Sequence, residues 1–414
     1  MKTIVIMYEH IAREYETCLR LKERLTAAGD VQAYLLSIHF QVKDLYRIAA
    51  RGIIDVLAMP YVYKEKSLVD ILPLLERGRI RIVLNLRHEQ IGALYNEHRL
   101  YPRDDFSKSR IYHAAWSETY KAIMIEKGID PHHIPVTQNP RSDLLYAAMH
   151  GDCCRDRNEV AAAYGLNPAK KWILFCESGA HRSEERIRKL LSQGYNEADL
   201  RAYNDVNDRD MQATEAQLNT LSATFLARYE IIYRPHPGTE VNVPLPPTVK
   251  AIGAESIYFW LQYVDTVISR FSTVLFEAEA TGLRVFRFAP YPADRRFLTY
   301  GLEYVPAIEN LEQLCDNKPY VNPCPFENYI GQVDGHAVEK LAGTILALAD
   351  GDDHPFEGYR PDPALRCRKA ARHSKLSNTF ARFAYRSGCG FLKKKSRSLS
   401  VFARDIPPEW KHES

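Results

Sequence analysis

The sequence predicts a doubly wound α/β protein built as two tandem domains followed by a basic tail. Short runs rich in Ile, Val and Leu alternate with amphipathic segments at helical spacing, which is the pattern of a parallel sheet covered by helices on both faces. That alternation halts at a polar stretch, His150 to Asn158, and then restarts. At 414 residues the chain exceeds one compact core and suits two domains of roughly 150 to 200 residues. The boundaries expected are 1–150, 151–352 and, for linker and tail, 353–414.

In the first half, Lys2 to Tyr8, Val31 to Ile38, Ile53 to Pro60 and Arg79 to Leu86 read as strands, each ending at polar or proline punctuation. Arg13 to Ala28 and Ser67 to Gly78 carry apolar residues at helical spacing between them. A further unit runs from Tyr112 to Trp116 through a helix, Glu118 to Gly128, to a strand at Ile134 to Thr137, closing with Asn139, Pro140, Arg141, Ser142 and Asp143. The second half repeats the pattern. Its strands are Lys171 to Cys176, Tyr229 to Tyr233, Thr248 to Ala251, Thr266 to Ser269 and Arg284 to Phe288. Its helices are Glu215 to Arg228, Ser256 to Gln262, Thr273 to Thr281 and His336 to Asp350. His181 to Asp210 is charged and longer than an ordinary connection, and its pattern leaves a lid, an acceptor-binding insert and a solvated helix open.

With 46% apolar and 26% charged residues the chain is not globally disordered, and no run approaches the roughly 18 apolar residues of a spanning helix. Glu9 and Glu14 follow the opening apolar run at once, so that run reads as a strand and not as a signal peptide. A cytoplasmic protein is expected. The eight cysteines are scattered with no C-x-x-C pair, which argues against a zinc site and a disulfide framework. The net charge of +3 is asymmetric: Arg366 to Arg404 holds twelve Lys and Arg and no acid, so the remainder carries −9. In that tail Phe380, Phe383, Tyr385, Phe391 and Leu392 are interleaved with Arg382, Arg386, Lys393, Lys394, Lys395 and Arg397, a composition suited to the anionic inner face of a membrane. A solvated tail is the plain alternative. Nucleic acid is not expected, because the body is acidic and no nucleic-acid motif is present.

Ligands of doubly wound sheets bind beyond the carboxyl ends of the strands, so those loops hold the candidates. Arg234, Pro235, His236, Pro237 and Gly238 follow a strand directly; two prolines fix the backbone about the histidine. A guanidinium and an imidazole held there suit a phosphate, the imidazole donating to a departing oxygen. A structural turn is the competing reading. Ser269, Ser272 and Thr273 stand where a strand enters a helix, a place for an anion or for ordinary capping, with Glu277 one turn further in to accept from ribose hydroxyls. Glu177, Ser178 and Gly179 follow another strand and are placed to touch base or donor, or to form a polar turn. In the first half His88 and Glu89 follow a strand where a base for an acceptor hydroxyl is needed, and Glu9 and His10 hold the matching place after the first strand.

With these residues in view, the Asn139–Asp143 turn, Arg234–Pro237 and the run from Ser269 to Glu277 resemble the GT-B glycosyltransferases of bacterial surface carbohydrate (capsule and lipopolysaccharide) biosynthesis. The likeness is nearest to enzymes with cytidine-activated donors: Kdo transferases, sialyltransferases and CDP-glycerol glycerophosphotransferases. It implies two Rossmann-like domains with an interdomain cleft, the first holding the acceptor and the second the nucleotide donor. It further implies that His236, Ser272 and Thr273 contact the donor phosphate and that Glu89 or His88 activates the acceptor, although no acidic D/E-D/E-G motif is present. The expected function is transfer of a sugar from a nucleotide donor, CMP-linked, to a surface polysaccharide or lipid-linked glycan, with the nucleotide-sugar as substrate, no cofactor and no metal. A basic tail that holds the enzyme peripherally on the inner membrane face fits this family. Alternatives are a CDP-glycerol-type polyol-phosphate transferase, a UDP-sugar 2-epimerase and a noncatalytic scaffold.

Overall fold

The computed structural model describes residues 1–151, 155–179, 182–192, 195–236, 243–316, 320, 325–366, 372–387, 389–399 and 403–411. The turn residues Pro237 and Gly238 lie outside them. The chain divides into two compact units, the first made of Met1–Gln90, Arg99–Asp143 and Asp334–Ser414, the second of Ile91–His98 and Leu144–Val333.

The first unit is a five-stranded parallel sheet of β1 (Lys2–Tyr8), β2 (Val31–Ser37), β3 (Ile54–Met59), β4 (Ile80–Asn85) and β5 (Tyr112–His113), ordered β2-β1-β3-β4-β5. Its strands are apolar at successive positions because both faces are covered. Val5, Met7, Leu57 and Val83 pack on one face against Leu45, Ile48 and Ala49 of the helix Val42–Arg51. Ile4, Ile6, Val56, Ile82 and Leu84 pack on the other against Cys18, Leu21 and Leu25 of the helix Glu16–Thr26. The helix Ala337–Asp350 shares that second face through Val338, Leu341, Ala342 and Ile345. Burying each of its larger aliphatic side chains is worth about 1.5–3 kcal/mol, so this contact sets the helix's place in the fold. Asp143 reinforces it, its two carboxylate oxygens accepting from the amides of Ala337 and Val338 at 2.9 and 2.8 Å, where the positive end of the helix favours an anion.

The second unit is a six-stranded parallel sheet of β6 (Lys171–Cys176), β7 (Tyr229–Arg234), β8 (Val249–Ala251), β9 (Thr266–Ser269), β10 (Arg284–Phe288) and β11 (Ala307–Ile308), ordered β11-β10-β9-β6-β7-β8. Trp172, Leu174, Ile232, Val267 and Val285 face one core, and Ile173, Phe175, Ile231, Tyr233, Ile268 and Phe288 the other.

Several elements differ from the sequence reading. The segment Ile134–Thr137 forms one isolated bridge, Ala115 to Val136, since Pro135 has no amide to extend a ladder. A helix Glu197–Asn219 fills most of the unassigned charged stretch, preceded by Glu184–Ser192, and the chain breaks before Ala223–Arg228 because Ser222 caps that helix through the Phe225 amide. The helix at 337–350 belongs to the first unit, not to the second as its position in the chain suggested. Residues 353–366 are not a bare linker, since Phe356 and Tyr359 are buried in the first core and the Tyr359 hydroxyl donates to Glu65 at 2.5 Å. The tail forms helices Arg372–Arg386 and Gly390–Leu399 with a one-turn segment at Ala403–Asp405, and Ala381, Tyr385, Ile406 and Trp410 pack with Phe40.

Candidate functional site

In the second unit β6, β7 and β8 step outward one way and β9, β10 and β11 the other, so the strand order reverses between β6 and β9. That reversal opens a crevice beyond the strand ends, which is where open α/β sheets bind ligands. Ser178 and Ser269 meet there, Oγ to Oγ at 2.8 Å. The Ser269 hydroxyl donates to the Cys176 carbonyl at 2.7 Å, while Ser178 Oγ accepts from the amides of Arg270 and Phe271, both at 2.9 Å. Ser178 therefore fixes the shape of the loop that leads to the helix Val274–Ala280. Past that loop the amides of Ser272 and Thr273 have no acceptor among the described residues, and Ser272 Oγ caps locally, accepting from the Val274 amide at 3.3 Å. Two unsatisfied amides at a helix start are suited to an anion. Burial pushes the Cys176 thiol at the end of β6 up to about 12, with Arg234 opposing the rise and Glu277 adding to it.

At the end of β7 the rigid turn is held by an acid. Glu177 Oε2 accepts from the His236 amide at 2.7 Å, leaving the residue exposed at the strand tip. The Arg234 guanidinium donates from its two terminal nitrogens to the carbonyls of Ala254 and Glu255, at 3.3 and 2.9 Å. Glu177 and Arg234 thus position the histidine turn and its neighbouring loop.

Gly179 is a packing residue. A Cβ there would lie 2.4 Å from Asn207 Oδ1 and 2.7 Å from the Tyr203 hydroxyl, so only glycine admits the helix Glu197–Asn219 at this distance. Asn207, Asp210, Met211 and Thr214 of that helix line a cavity of about 30 Å³ with Ser178, Gly179 and Arg270, room for a water or two and far too small for a nucleotide. Arg270, 7% exposed, places Nε 2.5 Å from Asp210 and stacks on the Tyr291 ring at 3.8 Å, while the Tyr291 hydroxyl donates to Asp210. Burial raises the Asp210 carboxyl to about 6. None of Asn207, Asp210 and Arg270 stood out in the sequence reading, although Arg270 lies inside the quoted Ser269–Glu277 run.

The first sheet reverses between β1 and β3, which places its own crevice beside the loops after those strands. The loop after β4 turns sharply at Arg87, whose φ of 44° is left-handed and whose side chain is buried near Tyr63, Tyr101 and Tyr120. His88 and Glu89 are thereby sent in different directions. His88 is 5% exposed, its Nε2 has no hydrogen-bond partner among the described residues, and burial lowers its basicity. This corrects the expectation that it lines an open cleft. Glu89 is exposed and paired with Arg13 at 2.5 Å. Glu14, which the sequence reading treated only as a charge after the first strand, is 1% exposed and accepts from the amides of Glu9 and His10 at 2.7 and 3.3 Å. Burial acts against its charged form, but His88, Arg13 and the Glu9 amide hold the carboxyl below its ordinary range.

Among the described residues no group of three or more His, Cys, Asp or Glu is arranged to hold a metal ion, and no helix is long and apolar enough to cross a membrane. No protein-family model matches the chain, and no curated protein matches it. Solved structures do. The wall teichoic acid polymerase TagF superposes with a TM-score of 0.50 at 13% identity, over 84% of this chain and 88% of that one. A putative UDP-N-acetylglucosamine 2-epimerase from Listeria monocytogenes gives 0.49 at 13% identity, over 86% and 99%, and the UDP-GlcNAc 2-epimerase of Methanocaldococcus jannaschii 0.48 at 13%, over 84% and 100%. The fold is α/β, two Rossmann-like parallel sheets of the GT-B type.

Proposed function

We propose that this chain is a glycosyltransferase that moves a sugar from a nucleotide-activated donor, CMP-linked, to a surface polysaccharide or lipid-linked glycan. The observation that carries the reading is the reversal point of the second sheet, where the amides of Ser272 and Thr273, without an acceptor among the described residues, and the acid-clamped His236 turn follow β9 and β7, the strands on either side of β6. The chemistry follows from charge. As the bond from sugar to nucleotide breaks, its electron pair leaves on a phosphate oxygen; amides that are already oriented and an imidazole that donates a proton stabilise that charge without reorganising. Glu177 and Arg234 hold the turn in place, Ser178 and Ser269 shape the loop, and Glu277 takes the ribose.

The tail supports attachment to an anionic inner membrane face. Phe383 and Phe391 are 62% and 75% exposed, and Arg386, Lys394 and Lys395 are exposed nearby in sequence. The same phosphate loops would serve transfer of a polyol phosphate from a CDP donor. Incubation with radiolabelled CMP-Kdo, CMP-sialate and CDP-glycerol separates the two by what is transferred. Calorimetry with CMP, CDP and UDP tests the site itself: the wild type is expected to bind a cytidine nucleotide and His236→Ala to weaken it at least tenfold. Lack of cytidine-nucleotide binding by the wild type would leave a scaffold or a uridine-nucleotide enzyme.

A further inference from the structure

One face of one helix braces both loops at the second sheet's reversal point. Asn207, Asp210 and Thr214 of the helix Glu197–Asn219 follow at spacings of three and four residues and so share a side. Asn207 abuts Gly179 in the loop after β6, and Asp210 receives Arg270 in the loop after β9, Nε standing 2.5 Å from Oδ1. The Tyr291 hydroxyl donates to that same Oδ1, and both Arg270 and Arg209 stack on the Tyr291 ring, at 3.8 and 4.2 Å. The main chain of the loop is pinned as well: the Arg270 and Phe271 amides go to Ser178 Oγ, and Thr299 Oγ1 donates to the Phe271 carbonyl at 2.9 Å. Ser272 and Thr273 come next, with amides that have no acceptor among the described residues. Arg270 is 7% exposed, and its Nη1 has no hydrogen-bond partner among the described residues. Asp210 is the acid beside it, whereas Arg287, level with Ser269 in the β9–β10 ladder, brings a second cation close. A buried guanidinium deprived of its acid is left uncompensated, and a neighbouring cation then pushes on it.

Resting on the donor reading of this crevice, we propose that Asp210 is a positioning residue for nucleotide binding: ionised, it holds Arg270 and so keeps the loop through Thr273 in the shape that receives the phosphate; protonated, it releases that loop. The charged stretch ending at Asp210 then serves as a brace and not as a lid. Burial raises the Asp210 carboxyl to about 6, and Arg270, the Tyr291 hydroxyl and Arg209 oppose the rise without cancelling it. Around this group stand Arg287 next to Arg270, Glu303 next to Arg287 and, on the shared cavity, Glu177, Cys176 and Tyr233. Burial pushes the Cys176 thiol up to about 12 and the Tyr233 hydroxyl well above the usual phenol range, so neither changes charge near pH 6. The sign of the charge fixes the direction. The carboxyl takes up its proton as pH falls through about 6, the ion pair to Arg270 is lost, and nucleotide affinity falls with it.

The test compares the full chain with Asp210→Asn, using whichever of CMP, CDP and UDP the wild type binds. A nucleotide phosphate itself titrates near pH 6, but it does so alike for both proteins, so the ratio of their dissociation constants isolates Asp210. At pH 7.5 the variant is expected to bind about tenfold more weakly. At pH 5, where a carboxyl of pKa about 6 is about nine-tenths protonated, the ratio is expected to shrink to about twofold. A ratio near one at pH 7.5, or the same ratio at both pH values, overturns the inference. Native-state hydrogen exchange keeps its failure apart from that of the donor reading. If no nucleotide binds the wild type, the donor reading fails; the brace still stands if the Arg270 and Phe271 amides exchange about tenfold faster in Asp210→Asn than in wild type at pH 7.5, with the amides of β6 and β9 unchanged and the difference largely gone at pH 5. It falls if those loop amides are unchanged, or if the strands change as much as the loop. Where Asp210→Asn does not fold, the wild type decides: protection of the loop amides relative to the strands drops about fivefold from pH 7.5 to pH 5, and a constant relative protection overturns the inference.

Discussion

The close approach at Gly179 yields a sharp test of how the second unit's crevice is built. Gly179→Ala places a methyl 2.4 Å from Asn207 Oδ1, 2.7 Å from the Tyr203 hydroxyl and 3.3 Å from Asn207 Cγ, all well inside contact distance. The backbone there lies outside the left-handed region, so the cost is steric alone. Neither neighbour yields easily. Asn207 is 2% exposed, and Tyr203 stacks on Tyr95 at 4.9 Å beneath the Arg182 guanidinium at 3.9 Å. Overpacking a site of this kind costs about 1–3 kcal/mol. The measurement is native-state hydrogen exchange of the amides in 197–219, where about 2 kcal/mol appears as roughly 30-fold faster exchange. In a background of Asn207→Ala and Tyr203→Phe the obstructing atoms are gone, and the same methyl is expected to cost a few tenths of a kcal/mol (~0.3). Gly253→Ala, where a Cβ meets nothing within 4 Å, is expected to change nothing. Equal cost in both backgrounds, or no cost in the wild type, would refute the steric account.

Two further outcomes concern the first unit. His113 is fully buried, with Nε2–H donating to the Ser107 carbonyl at 2.7 Å and Nδ1 accepting from Asn85 at 3.0 Å, and burial lowers its pKa to about 3. The unfolded state binds the proton first, so stability is expected to fall on acidification between pH 6.5 and about 3, by roughly 3 kcal/mol between pH 7 and 4, and His113→Gln to remove that slope in urea titrations across pH. Asp143→Ala strips the carboxylate from the start of the helix Ala337–Asp350; a loss of about 1–2 kcal/mol, read as faster exchange of that helix's amides, checks the assignment.

How far the fold could be read depended on how local its cause was. β1, β6, β9 and β10 match the sequence reading residue for residue, because strands buried on both faces are continuous apolar runs that need no tertiary information. The helix Glu197–Asn219 escaped because its buried face is partly polar: Tyr203, Asn204, Asn207 and Thr214 turn inward among charged neighbours and blur the helical period. β11 is two residues long and exists only through pairing with β10. The Ala337–Asp350 helix was recognised, but the sheet it covers was not, since an amphipathic face does not say which core it meets. In the same way, strand-end loops located His236, Ser178 and Ser269, yet only coordinates show that Glu177 and Arg234 bind backbone groups.

The tail shows where counting charges stops being informative. Twelve cations without an acid, against a remainder of −9, predict attraction to something anionic, and individual acids of the first unit supply part of it. Arg382, 9% exposed, pairs with Asp44 at 2.8 Å, and Arg397 Nε donates to the hydroxyl of the buried Tyr385 at 2.7 Å. Part of the basic charge therefore docks the tail within its own chain, where an enclosed pair carries an energetic weight that an exposed one lacks. Arg386, Lys394 and Lys395 remain exposed. Asp405 is the first acid after the basic run, and it is the residue that meets His10. An acid that ends a long cationic stretch is better explained by a fixed intramolecular partner than by a lipid surface, which would repel it.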